Sequence, residues 1–482
     1  MRADVKRLLA AACLFGLLCG CVQGPDYAKP AISSPASYRF AGPPPQADPF
    51  TASQAWWSGF GDAYLDRLVI EALENNRDLR IATARVDEFA AVLAGTRSQG
   101  LPQIGYAGSG SRSRASEEKL PAFVNPLSTT FSTFLSASWE FDLWGRIRRE
   151  TEAARANLLA SDEARRGVTL TLISSVIASY VTLLDLDEQL RVAQATVAGR
   201  QKSVDLFETR LKGRWISEFE MSQVRAEYES VASQVPPLKQ AIAVQEHALS
   251  TLLGRNPGPV ARAPSQEALR SPIVPAGLPS DLLIRRPDIL QAEQQLIASN
   301  ALIGAARALF FPRISLTGLL GFVSPSLGNL FTGPANSWTF TGDVVGPIYT
   351  GGGITAAVDQ AEARHDQSFA NYELVIQNAF RDVEDSLADL RHSAELRETA
   401  ERRVTVLRRG LELANERYEN GYSDYLEVLD TERGLFNAEL QLTSARGDYQ
   451  RALVNLYRAL GGDWSAVPPV AIGSGAGQAG NP

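Results

Sequence analysis

Between residues 144 and 212, and again between 353 and 420, no proline interrupts a run in which apolar or small residues return at alternating steps of three and four. The first stripe passes through Leu186, Leu190, Ala193, Val197, Val204, Phe207 and Leu211, and the second through Ala400, Val404, Leu407, Leu411, Ala414 and Tyr418. That is the coiled-coil period, so both segments are predicted as long helices packed along their length. At about 1.5 Å per residue each reaches roughly 100 Å. Returning helices are predicted from about Ser217 to Gly254 and from about Ser423 to Gly461. The first contains Pro236-Pro237, which removes two backbone donors and breaks or kinks it. Two helical hairpins result, with tips at 213–217 and 420–424.

Ahead of each hairpin the period changes. After a helix of about 30 residues, Pro102 or Pro312 stops the pattern and alternation of period two begins. In 131–143, Phe131, Leu135, Trp139 and Phe141 share a face opposite Ser132, Ser136, Ser138 and Glu140. In 336–348, Trp338, Phe340, Val344 and Ile348 alternate with Thr339, Thr341 and Asp343. Segments 103–113 and 313–323 alternate less cleanly, through Ile104 and Tyr106, then Ile314, Leu316, Leu320 and Phe322. Four strands are predicted. Gly351 to Gly353 read as a strand-to-helix corner rather than a phosphate loop, because no GKS or GxGxxG context follows.

The same order occurs twice. A shift of 210 places Asp78 on Asp288, Arg97 on Arg307 and Pro102 on Pro312; a shift of 207 places Gly145 on Gly352, Arg210 on Arg417, Glu220 on Glu427 and Gly254 on Gly461. One supersecondary unit is therefore duplicated.

The N-terminus adds a destination. Arg2, Lys6 and Arg7 precede an apolar run from Leu8 to Leu18, the layout of a secretory signal and too short to span a bilayer. It ends in Leu18-Cys19-Gly20-Cys21, which resembles a bacterial lipobox, with Cys21 as the lipidated first mature residue; an ordinary cleaved signal with an incidental cysteine is the alternative. Cys13, Cys19 and Cys21 are the three cysteines of the chain, so the mature body has no disulfide or thiolate metal site. Val22 after the cysteine, in place of Asp, points to the outer membrane by the usual sorting rule. Seven prolines in 22–50 read as an extended tether, and the Gly/Ala/Pro-rich end as a flexible tail. The division is a signal at 1–20, an anchored tether at 21–60, a first repeat at 61–254, a linker at 255–278, a second repeat at 279–461 and a tail at 462–482.

This setting bears on the strands. Alternation alone fits a soluble sandwich, but an exported, lipidated chain whose strands carry Trp and Phe on one face matches a transmembrane β-barrel. Four strands cannot close alone, and an open edge in hydrocarbon strands backbone polar groups. Closure across subunits gives 8 or 12 strands, for a dimer or a trimer. The uncharged stretch Gly167 to Leu184 is long enough to raise a membrane helix, but its Ser and Thr residues favour a buried segment.

Charge and chemistry narrow the function. Losing residues 1–20 removes a net charge of +2, taking the chain from −7 to −9, so a basic field for nucleic acid is absent. His247, His365 and His392 lack metal-ligand spacing and no nucleophile motif occurs, so no enzyme activity and no cofactor beyond a covalent lipid on Cys21 are expected.

The tether motif GPDYAKP, the strand end WEFDLWGRI, and the runs LLIRRPDILQAEQQL, FFPRISLTGLLGF and VNLYRALGGDW resemble the TolC-like outer-membrane factors, in their OprM/NodT-type lipoprotein branch. The resemblance covers residues 21 to about 464. It implies a homotrimer, with a 12-stranded transmembrane β-barrel continuous with a long periplasmic α-helical barrel, docking a periplasmic adaptor and an inner-membrane efflux pump of the resistance-nodulation-division type, and contacting outer-membrane lipid. The implied function is an exit duct for small molecules; a polypeptide-secretion channel and a non-conducting lipid-anchored tether are the alternatives. It also implies a gate around the second tip, carried onto Tyr418, Leu426, Asp430 and Arg433, with Asp424, Glu218 and Glu220 as further carboxylates. Arg214, Ser217, Gly421 and Ser423 lie at the tips where an adaptor would dock. Merely solvated tip charges are the competing reading. Arg433 shares a stripe with Leu426, Leu429, Phe436 and Leu440, so it needs a partner or water. The partners of Arg433 and Tyr418 stay open, because the first tip has Arg214 where the second has Gly421, and Gln223 where the second has Asp430.

Overall fold

The computed structural model describes residues 22–40, 56–116, 118, 121, 125–272 and 279–462. The signal, Cys21 and the tail from 463 onward lie outside them. The chain divides into two compact units. One holds the described residues up to Ile32 with Ala84–Glu163 and Gln291–Leu374; the other holds those of Ser33–Thr83, Ala164–Leu290 and Val375–Pro482.

The first unit contains an antiparallel sheet in the order β1 (Gln103–Arg114), β2 (Leu127–Phe141), β3 (Arg313–Ser324) and β4 (Asn336–Val345). The register aligns Glu140, Ser315 and Asp343 in one row, and Ser138, Thr317 and Thr341 in the next. One face is therefore largely hydroxyl-bearing. The alternate rows, such as Tyr106, Leu135, Leu320 and Trp338, make the other face apolar, and Tyr106, Trp338 and Phe340 stand exposed on it. Two strands differ in their limits from the alternating runs. β2 starts at Leu127 because Ser128 and Thr130 extend the polar alternation, and it stops at Phe141 because Asp142 accepts from the Ile147 and Arg148 amides and turns the chain into the next helix. β4 stops at Val345 because Gly346-Pro347 follows, and Pro347 has no amide to donate.

The N-terminal segment is seated on helices of the same unit. Gln23 donates to the Trp144 carbonyl at 3.1 Å, and the buried guanidinium of Arg149 donates to the carbonyls of Gln23 and Gly24 and to Asp26. Lys29 meets Glu293 at 2.7 Å and Asn300 donates to the Pro25 carbonyl at 3.0 Å. A Cβ on Gly24 would lie 2.4 Å from the Gly304 Cα, so two glycines are what let the segment lie this close to the helix.

Helices of the second unit bury Trp56, Phe60, Leu65, Val176, Ile177, Tyr180, Leu184, Leu249 and Leu253 in one core. Trp56–Phe60 is a short 3₁₀ turn inside that core, which corrects its assignment to the tether. The apolar stretch Gly167 to Leu184 supplies much of the same core, which accounts for its lack of charge. The predicted leading helices are each broken in two, into α1 (Ala63–Asn75) and α2 (Arg77–Ser98), then α6 (Leu282–Arg285) and α7 (Pro287–Ala308). Asn76 makes the first break: its side chain accepts from the Leu79 amide and donates to the Leu252 carbonyl. Arg286 makes the second, held extended at φ −73° and ψ 124° ahead of Pro287.

The long helices are α3 (Arg146–Lys212) and α8 (Gly353–Glu419), each of 67 residues. α8 returns as α9 (Tyr425–Ala459), while α3 returns as α4 (Glu218–Ala232) and α5 (Val235–Leu252). The break falls at Ser233 and Gln234, just ahead of the prolines, which occupy the first turn of α5 where a missing amide costs nothing.

Candidate functional site at the helical tips

Both tips close with the same backbone device. Trp215 donates to the Arg210 carbonyl and Arg214 to that of Leu211; Tyr422 donates to Arg417 and Gly421 to Tyr418, each pair at 2.9–3.0 Å. These are Schellman closures with a left-handed residue between helix and turn. Gly421 takes it at φ 75°, but Arg214 takes it at φ 58°, the described non-glycine residue with positive φ. Arg214→Gly is therefore expected to stabilise the first tip by about 0.5–1 kcal/mol, read as a raised unfolding midpoint in denaturant.

The helices that follow are capped by the acidic and hydroxyl residues of the tips. Ser217 accepts from the Glu220 amide while the Glu220 carboxylate accepts from the Ser217 amide at 2.7 Å, a reciprocal capping box that holds the Glu220 carboxyl below its ordinary range. Asp424 caps α9 through the Glu427 amide at 3.4 Å. Arg417 and Glu427 pair at 3.2 Å in the second tip.

Beneath the tips lies an apolar cluster of Val204, Phe207, Met221, Val224 and Leu429, with Tyr418 and Tyr425 against it. Arg210 donates to the Tyr418 hydroxyl, and its guanidinium sits 5.6 Å from that ring and 5.4 Å from the Phe207 ring. Next to the cluster, Glu227 joins two arginines. Its carboxylate accepts from Arg433 with one oxygen and from Arg200 with the other, at 2.8 Å, and its backbone carbonyl also accepts from Arg200, at 2.5 Å. Burial alone would raise the Glu227 carboxyl, but hydrogen bonds from Arg433 and Arg200 outweigh it and hold it below the ordinary carboxylate range. Arg200 is 5% exposed, and its Nε and Nη2 have no hydrogen-bond partner among the described residues. Glu432 stands by the same arginine, its carboxyl pushed up by burial.

The Glu227 carboxylate pins α3, α4 and α9 to one another.

The family model described as "Outer membrane efflux protein" matches residues 68–255 and 278–462. The chain belongs to the outer membrane efflux protein family. It is 38% identical over 455 residues to the cation efflux system protein CusC of Escherichia coli O157:H7, covering 94% of this chain and 98% of that one. It is 36% identical over 460 residues to the solvent efflux pump outer membrane protein SrpC of Pseudomonas putida, covering 93% and 97%. Among solved structures, the open state of the Neisseria gonorrhoeae MtrE outer membrane channel aligns with a TM-score of 0.84 at 30% identity, covering 92% and 98%. This outer-membrane efflux protein is the exit duct of a tripartite system. Factors of the family form trimers and work with an adaptor and an inner-membrane pump.

Within the efflux protein, the tip residues sort into three groups. Tyr418 and Arg433 lie at the centre of the side-chain network, paired with Arg210 and Glu227. Asp430 reaches Arg433 only at 3.7 Å and is 79% exposed, and Leu426 is half-exposed, with no place in the buried cluster. Glu220, Ser217 and Asp424 serve the helix ends, and Glu218 stands exposed in the first turn, so none of these carboxylates supplies a partner for Arg433. Glu227, Arg200 and Arg210 escaped the sequence reading. A signal for Arg200 was present: the stripe of α3 passes from Val197 to Val204 without a member, and Arg200 fills that gap. A charge on a buried stripe requires a partner.

Proposed function

We propose that three copies of the efflux protein close their sheets into a 12-stranded barrel across the outer membrane, with the long helices forming a periplasmic barrel gated at its tips. The observation that carries the barrel is the two-faced sheet, hydroxyl-bearing on one side and aromatic on the other, whose outer strands β1 and β4 each have one edge unpaired among the described residues. Such edges in hydrocarbon demand closure by further strands. Covalent lipid on Cys21 adds an anchor at the end of a segment already held by Arg149, Glu293 and Asn300.

The gate rests on the Glu227 bridge and the Arg210–Tyr418 pair. While these hold, α9 stays drawn against α3 and α4, and α8 against α3, at the tip. An adaptor, recruited with a resistance-nodulation-division pump, docks at Arg214, Ser217, Gly421 and Ser423. Trp215 and Tyr422, in corresponding places and both exposed, add apolar surface there. Two of the named relatives are cation and solvent systems. The cargo proposed here is small organic compounds: of the two methionines, Met221 is sealed in the tip cluster and offers no thioether to a soft metal ion.

Planar bilayers containing the purified chain test this reading. Small, rare openings that grow when the tip bridges are broken are expected. A protein that stays monomeric in detergent and never conducts would overturn it.

A further inference from the structure

At its loop-connected end the apolar face of the sheet carries a basic group, and the hydroxyl face does not. On the apolar face, rows run from Phe141, Ile314 and Val344 at the helix-connected end to Gly110, Phe131 and Ser324 at the loop-connected end. Residues 131 to 141 span five two-residue steps, about 34 Å along the strand. At a barrel tilt of about 40° this is roughly 26 Å of height, close to the apolar band of an outer-membrane barrel. Aromatic rings mark both limits: Trp139 and Phe141 in contact at 5.6 Å at one end, Phe322 and Phe331 at 5.6 Å at the other.

Arg112 occupies the next row beyond Phe131, opposite Thr129, and Arg114 the row after, opposite Leu127. Both are exposed and on the apolar face. At the same level the other face carries Ser111, Thr130, Ser113 and Ser128, with no charge. Arginine placed just outside an apolar band, on its lipid-facing side and at the end away from the helices, meets the headgroup layer of the outer leaflet. A guanidinium fork matches phosphate oxygens.

We propose that Arg112, with Arg114 one pleat further, binds the phosphate groups of the outer leaflet's phosphorylated glycolipid. The inference rests on the proposed membrane-spanning sheet. The contact adds a polar anchor at the outer leaflet to the vertical position that the apolar band and its aromatic limits already set.

The test uses the full chain in detergent, titrated with bisphosphorylated lipid A and with the same lipid A stripped of phosphate. Arg112→Ser combined with Arg114→Ser is expected to weaken binding of the bisphosphorylated form at least tenfold, and the paired lysine variants to keep most of it. The dephosphorylated lipid is expected to bind wild type and variants alike. Equal affinity of wild type and the serine variant for the bisphosphorylated form would overturn the proposal. Proteoliposomes with brominated acyl chains separate the two layers of argument, through the quenching that is lost in Trp338→Phe. No such quenching removes the spanning sheet and this inference with it; quenching with unchanged lipid A affinity removes this inference alone.

Discussion

Glu227→Gln is expected to raise the resting conductance of the efflux protein several-fold while leaving assembled trimers. Glu227 holds Arg433 with one carboxylate oxygen and Arg200 with the other. Glutamine keeps one acceptor and loses the charge, so α9 is released from α3 and α4 at the tip without a large change in shape. Glu227→Ala is expected to go further, costing about 3–5 kcal/mol, because it leaves Arg200 buried with no other counter-charge at hydrogen-bond distance among the described residues. Asp430→Asn is the control: at 3.7 Å from Arg433 and largely exposed, it is expected to shift neither conductance nor stability by a measurable amount. Equal conductance of wild type and Glu227→Gln, in trimers of equal mass, would remove the bridge from the gate.

The same bridge sets a pH dependence with a definite sign. The Glu227 carboxyl is held below its ordinary range, so its stabilisation is fully present above the unfolded-state value and is lost as pH falls through the folded one. Glu432 carries the opposite sign: burial raises its carboxyl, so it takes up its proton first on acidification, and that step relieves the fold and its repulsion with Glu227. Opening is therefore expected only below the ordinary carboxylate range, and the acid step is expected to vanish in Glu227→Gln.

What could be read from the chain follows from how local the physics is. Strands and long helices were legible because a period of two or of three-and-four is written into neighbouring positions, as in Ser136, Ala137, Ser138 and Trp139, or Val204, Phe207 and Leu211. Caps were legible as residue types, though Ser217, Glu220 and Asp424 read more readily as gate and docking groups than as the helix ends they serve. The ion pairs of the tip were not legible. Arg433 and Glu227 are 206 residues apart, and Arg210 and Tyr418 are 208. Nor do the tips match in this respect: a shift of 207 places Gly434 on Glu227 and Ala226 on Arg433, so one half offers no template for the other. Of the breaks in the leading helices, at the corresponding positions Asn76 and Arg286, the second had a local signal in Pro287, while the first depends in part on the Asn76 amide donating to the Leu252 carbonyl far along the chain.

Arg286 is where a substitution in the second unit is expected to cost most. Its guanidinium donates to Asp288 at 2.6 and 3.0 Å and to Asp382 at 3.1 Å, and to the carbonyls of Ala459 at 2.9 Å and Ala379 at 3.4 Å. It thereby satisfies the last turn of α9, where a helix end leaves carbonyls unpaired, and ties that end to α8. A Cβ on Gly461, at φ 90°, would lie 3.3 Å from the Arg286 backbone, so the chain leaving α9 is folded over this residue as well. Arg286→Met conserves much of the length but strands two carboxylates and two carbonyls, and is expected to cost about 3–5 kcal/mol. Arg286→Lys is expected to recover less than half, since an ammonium cannot grip Asp288 through two nitrogens while reaching both carbonyls. The adjacent Arg285 is exposed, so Arg285→Met is expected to stay within about 0.5 kcal/mol of wild type. Denaturant midpoints for the three variants decide the matter, and equal midpoints for the two methionine variants would mean that the tandem arginines share a surface role and that α9 is held by its apolar stripe alone.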